Sequence, residues 1–415
     1  MEKLQQYIYL ILTAILALNL IGCTSFSPPQ NLMENASSNS VEGKPADSEF
    51  ITAVADFSIN LFKESADPQE NSLVSPLSVS LALSMAANGA DNITLQQMEK
   101  LLGNDIPITE LNEYMYSYIN CLPNTEKSKL HIANSIWFNN DKNNLQVESD
   151  FLQNNADYYN ASIFSAAFDK GTAKDINDWV KINTDGMIEK IIENVDPASM
   201  YLINALAFDA EWQMVYNAAS VNKGIFTNIK GEVQNVDFMY SGEYTYLEDD
   251  MATGFIKPYY GGNYKFVALL PNEGISIGEY VESLSGEGFM NILANSQTAT
   301  VRTAMPKFEY EYGLSMMDVL KDLGMTEAFD AGSADFSKMA VSAEGNIFIG
   351  EVLHKTFIKV DENGTRAGAA TMVAMMPASA SPEEPKSVYL DRPFVYAIVD
   401  SATTLPVFIG VVMTV

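Results

Sequence analysis

Residues 352–385 read VLHKTFIKVDENGTRAGAATMVAMMPASASPEEP. In this stretch an alternating strand is followed by an unusually long connection. From Val352 to Val360 the side chains alternate, with two lysines on one face and His354 on the other. Because lysine side chains favour water, His354 is predicted to point into the core. Residues 364–385 then form a long connection, and such connections inside a compact domain are usually functional or disordered.

Two stretches elsewhere in the chain predict what surrounds this strand. Residues 200–208 are short and almost continuously apolar, which is typical of a strand buried on both faces. Asn204 lies inside it, and a buried amide needs hydrogen-bond partners. Ser75 and Pro76 are favourable at the start of a helix, and the apolar spacing that follows predicts a helix ending near Gly89.

Few groups in the chain could support catalysis. His131 and His354 are the two histidines, and a Ser-His-Asp or Cys-His hydrolase needs one of them beside its nucleophile. The sequence contains no H-E-x-x-H helix, cysteine cluster or phosphate-loop spacing. A formal net charge of −29 would repel a phosphate backbone, which argues against nucleic acid as a partner. We therefore expect a protein that is not an enzyme and uses no cofactor or metal ion.

The chain begins with a pattern typical of export. Lys3 precedes an apolar stretch over residues 7–21, which is too short to be read first as a transmembrane helix. Gly22 before Cys23 resembles a lipobox, in which the cysteine is acylated and becomes the mature N-terminus. An ordinary signal peptide with an incidental cysteine is the alternative. We predict a lipoprotein signal peptide over 1–22 and a lipidated Cys23, which would anchor the protein at the cell envelope or cell surface, facing the periplasm or the exterior.

The residues after the signal peptide divide into a tether and one large domain. Of the 25 residues over 24–48, 12 are Ser, Asn or Pro, and such a stretch buries too little surface to offset the cost of ordering it. We predict that residues 23–48 comprise the lipidated cysteine and a flexible tether. From residue 49 to 415 no second linker and no repeat is found, which favours a single domain.

Several blocks of sequence, in a fixed order, resemble the serpin family from about Phe50 to the C-terminus. The residues that carry the resemblance are Asn71 to Ser78, Gly89 and Thr94; Asn177, Trp179, Val180, Thr184 and Gly186; Asn204, Phe208 and Trp212; Leu323 to Met325, Phe329, Ala334 to Ser337, His354 and Lys355; and Arg392 to Phe394 with Pro406 to Gly410. Lys257 departs from the family's pattern, in which a leucine is usual at that position. The resemblance implies an α+β serpin fold with three β-sheets (A, B and C), about nine helices and an exposed reactive loop.

The resemblance also implies a function, which is the suicide inhibition of serine proteases. Cleavage of the reactive loop would let its N-terminal part insert as a new strand in the middle of sheet A. The acylated protease would be dragged across the molecule and its active site distorted. Such a fold is metastable before cleavage, so its stability is kinetic.

The resemblance assigns the hinge of the reactive loop by position. Its residues are Glu362, Gly364, Thr365, Arg366, Ala367, Gly368, Ala369, Ala370 and Thr371. A strand that slides between two others cannot bury charge, and the side chains of one parity, from Thr365 to Met375, are all uncharged. Arg366 has the opposite parity and can stay in water. These small residues favour an inhibitor over the alternative of a non-inhibitory serpin that acts as a carrier or chaperone.

Two further groups of residues carry over from the family. Ser75, Ser78, Asn204 and His354 match the shutter, a buried polar cluster beneath the point where sheet A opens. Trp212 matches the tryptophan of the breach, the end of sheet A where insertion begins.

The family's usual spacing, 16 residues after Glu362, puts the reactive bond at Ala378–Ser379. Because protease pockets read this side chain by size and charge, Ala378 suits elastase-like or subtilisin-like serine proteases, or a cysteine protease with a similar pocket. Met375, Met376 and Ala380 are alternatives, since loop register varies.

We expect a monomer whose partners are such a protease and, through the lipid anchor, a membrane. An envelope lipoprotein that binds a solute is the alternative from another class, and it would show a ligand-induced rise in melting temperature.

Overall fold

The structure, a computed structural model, describes residues 28–140, 145–196, 199–343, 345–365 and 384–415. Within these ranges there are nine α-helices. Their bounds are α1 Ser48–Ser65, α2 Pro76–Ala87, α3 Asn92–Gly103, α4 Ile108–Cys121, α5 Ser149–Tyr159, α6 Lys170–Asn183, α7 Ile277–Ser283, α8 Gly286–Ala294 and α9 Met317–Asp322. No helix in the described ranges combines the length and the apolar character that a membrane span requires.

Eighteen strands accompany the helices in the described part of the chain. They are β1 Gln30–Asn31, β2 Ser72–Val74, β3 Ser128–Asn139, β4 Leu145–Val147, β5 Ser162–Ala166, β6 Met200–Glu211, β7 Val221–Thr227, β8 Val233–Glu248, β9 Ala252–Pro258, β10 Tyr264–Pro271, β11 Gln297–Pro306, β12 Phe308–Ser315, β13 Ala340–Ser342, β14 Ile349–Val360, β15 Gly364–Thr365, β16 Lys386–Tyr389, β17 Phe394–Asp400 and β18 Pro406–Val412.

Across the described residues the strands form three sheets. A seven-stranded sheet has the order β1-β5-β3-β6-β15-β14-β12, and we call it the large sheet. A nine-stranded sheet has the order β16-β11-β8-β9-β10-β17-β18-β2, with β7 paired to β8. The third sheet is the pair β13-β4. Three sheets and nine helices agree with the predicted α+β fold.

Helix α2 lies between the two larger sheets and is buried along its whole length. It contacts β3 and β6 on one side and β18 on the other. Ser75 caps the helix, because its hydroxyl accepts a hydrogen bond from the backbone amide of Ser78 at 3.2 Å, and Pro76 occupies the first turn. The start of this helix is therefore fixed directly beneath the middle of the large sheet.

Strands β6 and β14 form the centre of the large sheet, and both follow the sequence predictions. Residues 200–208 are buried throughout, and the strand continues to Glu211. One face of β6 packs into the main core, and the other packs with α6, through Ile176 and Val180, into a second apolar cluster. In β14 the buried and half-buried residues alternate from Val352 to Val360, and His354 points inward.

The segment before α1 differs from the predicted flexible tether. Strand β1 pairs with β5 and forms an edge of the large sheet. Further along, the backbone amide of Asn39 donates to the Asp157 carboxylate at 2.6 Å, and Lys44 forms an ion pair with Glu110. The prediction is therefore wrong for residues 28–48, which lie against the folded body. The composition of the segment did not predict this docking. The backbone groups that pair β1 with the open edge of the sheet are common to all residues, so they leave no trace in the composition.

Candidate functional site

The centre of the large sheet is closed along most of its length and open at one end. Strands β6 and β14 pair directly and in parallel, from Met200 with Ile349 to Ala207 with Phe357. Beyond that point the short strand β15 lies between them. Gly364 pairs with Glu211, and Thr365 pairs with both Ala210 on β6 and Val360 on β14. A longer β15 would have to separate β6 from β14 pair by pair.

The two residues of β15 are fitted closely to this position. A Cβ atom on Gly364 would lie 2.0 Å from the carbonyl oxygen of Ala210, so the backbone approach requires glycine. Thr365 is 1% exposed, and its hydroxyl lies 2.6 Å from that of Tyr259. Gly364 and Thr365, the second and third of the predicted hinge residues, are thus small, uncharged and already inside the sheet.

The turn that precedes β15 is held by the segment that follows β6. The Trp212 amide donates to the carbonyl of Asn363 at 2.8 Å, and its indole Nε1 donates to the carbonyl of Asp361 at 2.8 Å. The Tyr216 amide donates to the carbonyl of Glu362 at 2.9 Å. Three successive carbonyl groups of the turn are therefore fixed from outside it.

An ion pair braces the same turn on its solvent side. The Lys307 ammonium lies 2.5 Å from the Glu362 carboxylate, and both side chains are partly exposed. The hydrogen bond from Lys307 lowers the pKa of Glu362. The backbone amide of Lys307 donates to the carbonyl of Asp237 at 2.8 Å, which ties this brace to the nine-stranded sheet.

Trp212 joins the two larger sheets at this end of the molecule. Its ring is 1% exposed and stacks on Tyr259, with centroids 4.5 Å apart and planes inclined by 17°. Tyr259 follows β9 and is itself fully buried, and burial raises the pKa of its phenol well above the usual range. The same phenol touches Thr365, so the stack connects the second sheet to β15.

The four residues of the predicted shutter lie together beneath the closed part of β6 and β14. His354 and Asn204 are register partners, and His354 Nδ1 hydrogen-bonds with Asn204 Oδ1. Asn204 Nδ2 donates to the Ser78 hydroxyl at 2.8 Å. His354 Nε2 accepts a hydrogen bond from the Ser75 amide at 3.1 Å. The start of α2 is therefore connected to both central strands.

These contacts define the protonation state of His354. Because Nε2 accepts from a backbone amide, the ring proton is on Nδ1 and is donated to Asn204. A second proton would face the Ser75 N–H group with no acceptor. Burial lowers the pKa of His354 to about 3, so the ring is neutral at physiological pH.

Sequence reasoning missed a fifth member of this cluster, Asn134 on β3. Its Oδ1 accepts hydrogen bonds from Ser78 Oγ at 2.9 Å and from Asn204 Nδ2 at 2.9 Å, and its Nδ2 donates to the Ser78 carbonyl at 3.0 Å. The signal was weaker than for Asn204, because β3 carries five other polar residues among its twelve. Tyr259 and Lys307 carried no comparable signal.

The remaining predicted site residues lie outside the described residues. These are Cys23, Arg366, Ala367, Gly368, Ala369, Ala370, Thr371, Met375, Met376, Ala378, Ser379 and Ala380.

Comparison with known proteins agrees with this architecture. A family model described as serpin (serine protease inhibitor) matches residues 52–415. A serpin-like protein of Thermococcus kodakarensis is 32% identical over 373 residues, covering 88% of this chain and 85% of the relative. The leukocyte elastase inhibitor of Equus caballus is 29% identical over 378 residues, covering 86% and 97%. The native-state crystal structure of the thermophilic serpin tengpin matches with a TM-score of 0.90 and 54% identity, covering 94% of this chain and all of that one.

The chain belongs to the serpin family, and the family and fold predicted from sequence are confirmed. The family as a whole is one of protease inhibitors, although some serpins do not inhibit.

Proposed function

We propose that this protein is a suicide-substrate inhibitor of serine proteases with elastase-like or subtilisin-like specificity. The observation that carries the proposal is the position of β15. Two of the predicted hinge residues lie between β6 and β14, while below them the facing edges of these two strands pair directly with each other. Extending β15 would add backbone hydrogen bonds on both of its sides, and this provides the free energy for a one-way insertion.

The proposed reaction begins as ordinary proteolysis. The protease serine attacks the carbonyl carbon of Ala378, an acyl ester forms, and the amine of Ser379 leaves with the C-terminal peptide. Residues from Arg366 onward are then free of their C-terminal attachment and extend β15 towards the shutter. The ester carries the protease along with the inserting strand before water can hydrolyse it.

The shutter residues would control how easily the sheet opens. Opening must break the register pair of His354 and Asn204, whose side chains are hydrogen-bonded to each other and to the start of α2. A buried network that is fully satisfied holds one arrangement firmly, so it would keep the uncut protein closed. Cleavage removes the restraint on the loop, and the new β15 pairs then replace the broken ones.

The specificity rests on the residue before the scissile bond. Alanine at 378 fits a small or apolar primary pocket, and the similarity to a protein named leukocyte elastase inhibitor supports this class. Met375, Met376 and Ala380 are the alternative positions.

We also propose that Cys23 is lipidated and anchors the monomeric protein at the cell envelope or surface, facing the periplasm or exterior.

The test is incubation of the protein without residues 1–23 with pancreatic elastase or subtilisin, followed by a denaturing gel and mass spectrometry. We expect a covalent band of summed mass and a released peptide that begins at Ser379. The matched control is the same protease with its catalytic serine replaced by alanine, which should give no covalent band. Labelling of the full chain with a radioactive fatty acid, with Cys23→Ala as control, tests the anchor.

The alternatives predict other results. A non-inhibitory serpin used as a carrier or chaperone would be cut without a covalent band and without a gain in thermal stability. A solute-binding lipoprotein would gain thermal stability with a ligand and none from loop cleavage. Cleavage with no covalent band against either protease, and no gain in stability, would contradict the proposal.

A further inference from the structure

A buried ion pair lies beside the hinge and plays no part in the reaction described so far. Lys257 Nζ lies 2.8 Å from Glu243 Oε1, and the two side chains are only 2% and 8% exposed. Glu243 Oε1 also accepts a hydrogen bond from the Ser241 hydroxyl at 2.7 Å. Ser241 in turn lies 2.9 Å from the Thr303 hydroxyl. The carboxylate is therefore compensated by one cation and one hydroxyl inside the protein.

The ammonium group of Lys257 also faces two aromatic rings. It lies 4.3 Å from the centroid of Tyr216 and 5.5 Å from the centroid of Trp212. A cation within about 6 Å of a ring centroid is attracted to the ring face, and the attraction is larger where water is excluded. Lys257 therefore interacts with both aromatic residues that hold the hinge turn.

These two aromatic residues bind the turn through three carbonyl groups. The indole Nε1 of Trp212 donates to the Asp361 carbonyl, and the backbone amides of Trp212 and Tyr216 donate to the carbonyls of Asn363 and Glu362. Within the turn, the Asp361 amide donates to the Gly364 carbonyl at 3.0 Å. With the register pair of Val360 and Thr365, this bond makes β14 and β15 the beginning of an antiparallel hairpin. A longer inserted strand would continue this hairpin without rearranging the turn.

We propose that Lys257 is a positioning residue for strand insertion, because its ammonium fixes Trp212 and Tyr216 and so keeps the turn over 361–364 ready to be extended. The inference rests on the proposed inhibitory function. A buried ion pair is often no more stable than apolar residues of similar volume, so stability alone does not account for Lys257. Its position against the two residues that bind the hinge turn gives it a role in the reaction.

The expected effect follows from a competition. After the loop is cut, insertion competes with hydrolysis of the acyl ester, and the outcome fixes the ratio of cleaved to trapped inhibitor. A turn that is no longer held must order itself before the hairpin extends, so insertion slows. We expect Lys257→Met to raise this ratio about tenfold, which corresponds to about 1.4 kcal/mol in the barrier to insertion.

The experiment compares three variants with the parent against elastase or subtilisin. Lys257→Met leaves Glu243 buried without its cation, and its thermal midpoint should fall. Lys257→Met/Glu243→Met removes both charges, and its midpoint should recover towards that of the parent. The control is Lys338→Met, since Lys338 forms a largely exposed ion pair with Asp91 at 3.0 Å, next to the start of α3 and outside the segments that hold the hinge turn. The ratio for the control should equal that of the parent.

The double variant separates positioning from stability. If Lys257 positions the turn, the ratio stays raised in the double variant although the thermal midpoint recovers. If the pair is merely structural, the ratio returns to the parent value together with the midpoint, and the inference is overturned. A ratio in Lys257→Met equal to that of the parent overturns it as well.

A second readout keeps this result distinct from a failure of the proposed function. The loop is cut with any protease that cleaves between residues 375 and 383, so that the inserting residues stay attached to β15, and the rate at which the cut protein becomes heat resistant is followed. A slower gain in Lys257→Met than in the parent supports positioning, even where the parent forms no covalent band. Equal rates, or a cut parent that gains no heat resistance, overturn the inference.

Discussion

The hydroxyl groups of Tyr259 and Thr365 lie 2.6 Å apart, and both side chains are buried. Tyr259 immediately follows a strand of the nine-stranded sheet, whereas Thr365 is the last residue of β15. One hydrogen bond thus joins the second sheet to the point where the large sheet opens. Gly364 and Thr365 therefore do not rest loosely on the surface but are held between β6 and β14.

The first prediction concerns the charge tolerance of that position. Thr365→Arg would place a guanidinium group without a partner in the sheet, which costs several kcal/mol, so β15 should leave its position between β6 and β14 and insertion should lose the competition with hydrolysis. We expect cleavage at an unchanged rate, with the trapped fraction on a denaturing gel reduced more than about tenfold. Thr365→Ser keeps a small hydroxyl side chain and is the control. A covalent band of parental intensity in Thr365→Arg would contradict the insertion mechanism.

The second prediction concerns the ion pair of Glu362 and Lys307. Glu362→Lys places two ammonium groups together beside the hinge turn, so the uncut protein should show a lower thermal midpoint at low salt. The reversed pair, Glu362→Lys with Lys307→Glu, should recover much of the loss, and 1 M salt should reduce both effects. No recovery in the reversed pair would show that the two side chains act independently.

The third prediction tests the amide on β3 that completes the shutter. Asn134→Ala leaves buried donors on Ser78 and Asn204 with fewer acceptors, which should lower the stability of the uncut protein by about 1–3 kcal/mol. Guanidinium denaturation measures this change. Asn120→Ala, at an exposed position of α4, is the matched control and should change stability by less than about 0.5 kcal/mol. If both substitutions changed the stability equally, Asn134 would not be a working member of the buried polar cluster.

The fourth prediction is a dependence on pH. The pKa of His354 is about 3 in the folded protein and 6.5 for an ordinary histidine, so at pH values between these the unfolded chain binds more protons. Stability therefore falls as the pH drops below 6.5, by about 1.4 kcal/mol between pH 7.5 and 5.5. His354→Gln should lack this part of the slope, while the contribution of the carboxylates is common to both proteins. Identical slopes would show that the ring titrates normally in the folded state.

The fifth prediction concerns the docked segment before α1. Deleting residues 28–46 removes the β1 pairing and the Lys44–Glu110 ion pair but keeps Asp47, whose side chain caps α1. We expect the thermal midpoint to fall by about 2–5 °C at a fixed scan rate. Deleting residues 1–27 alone is the control and should leave the midpoint unchanged. Equal thermal midpoints for both deletions would show that residues 28–46 behave as a free tether.

The sequence predicted those features that depend on local periodicity. The alternation over 352–360 placed His354 inside, the apolar run over 200–208 predicted a strand buried on both faces, and Ser75-Pro76 predicted the start of α2. A residue's own neighbours determine these properties, because strand and helix periods decide which face is buried. The resemblance to serpins then assigned the hinge and shutter positions.

Tertiary structure alone decided which distant side chains meet. Tyr259 and Thr365 are 106 residues apart in sequence, and Asn134 and Asn204 are 70 apart. The docking of residues 28–48 on a sheet edge and the surroundings of Lys257 likewise depend on how the two larger sheets pack. Local patterns specify the face that each residue presents, whereas its partner is set by strand register and sheet packing across the whole domain. For that reason the sequence determined the family and fold of this protein, and the structure decided which side chains hold the turn over 361–364 in place.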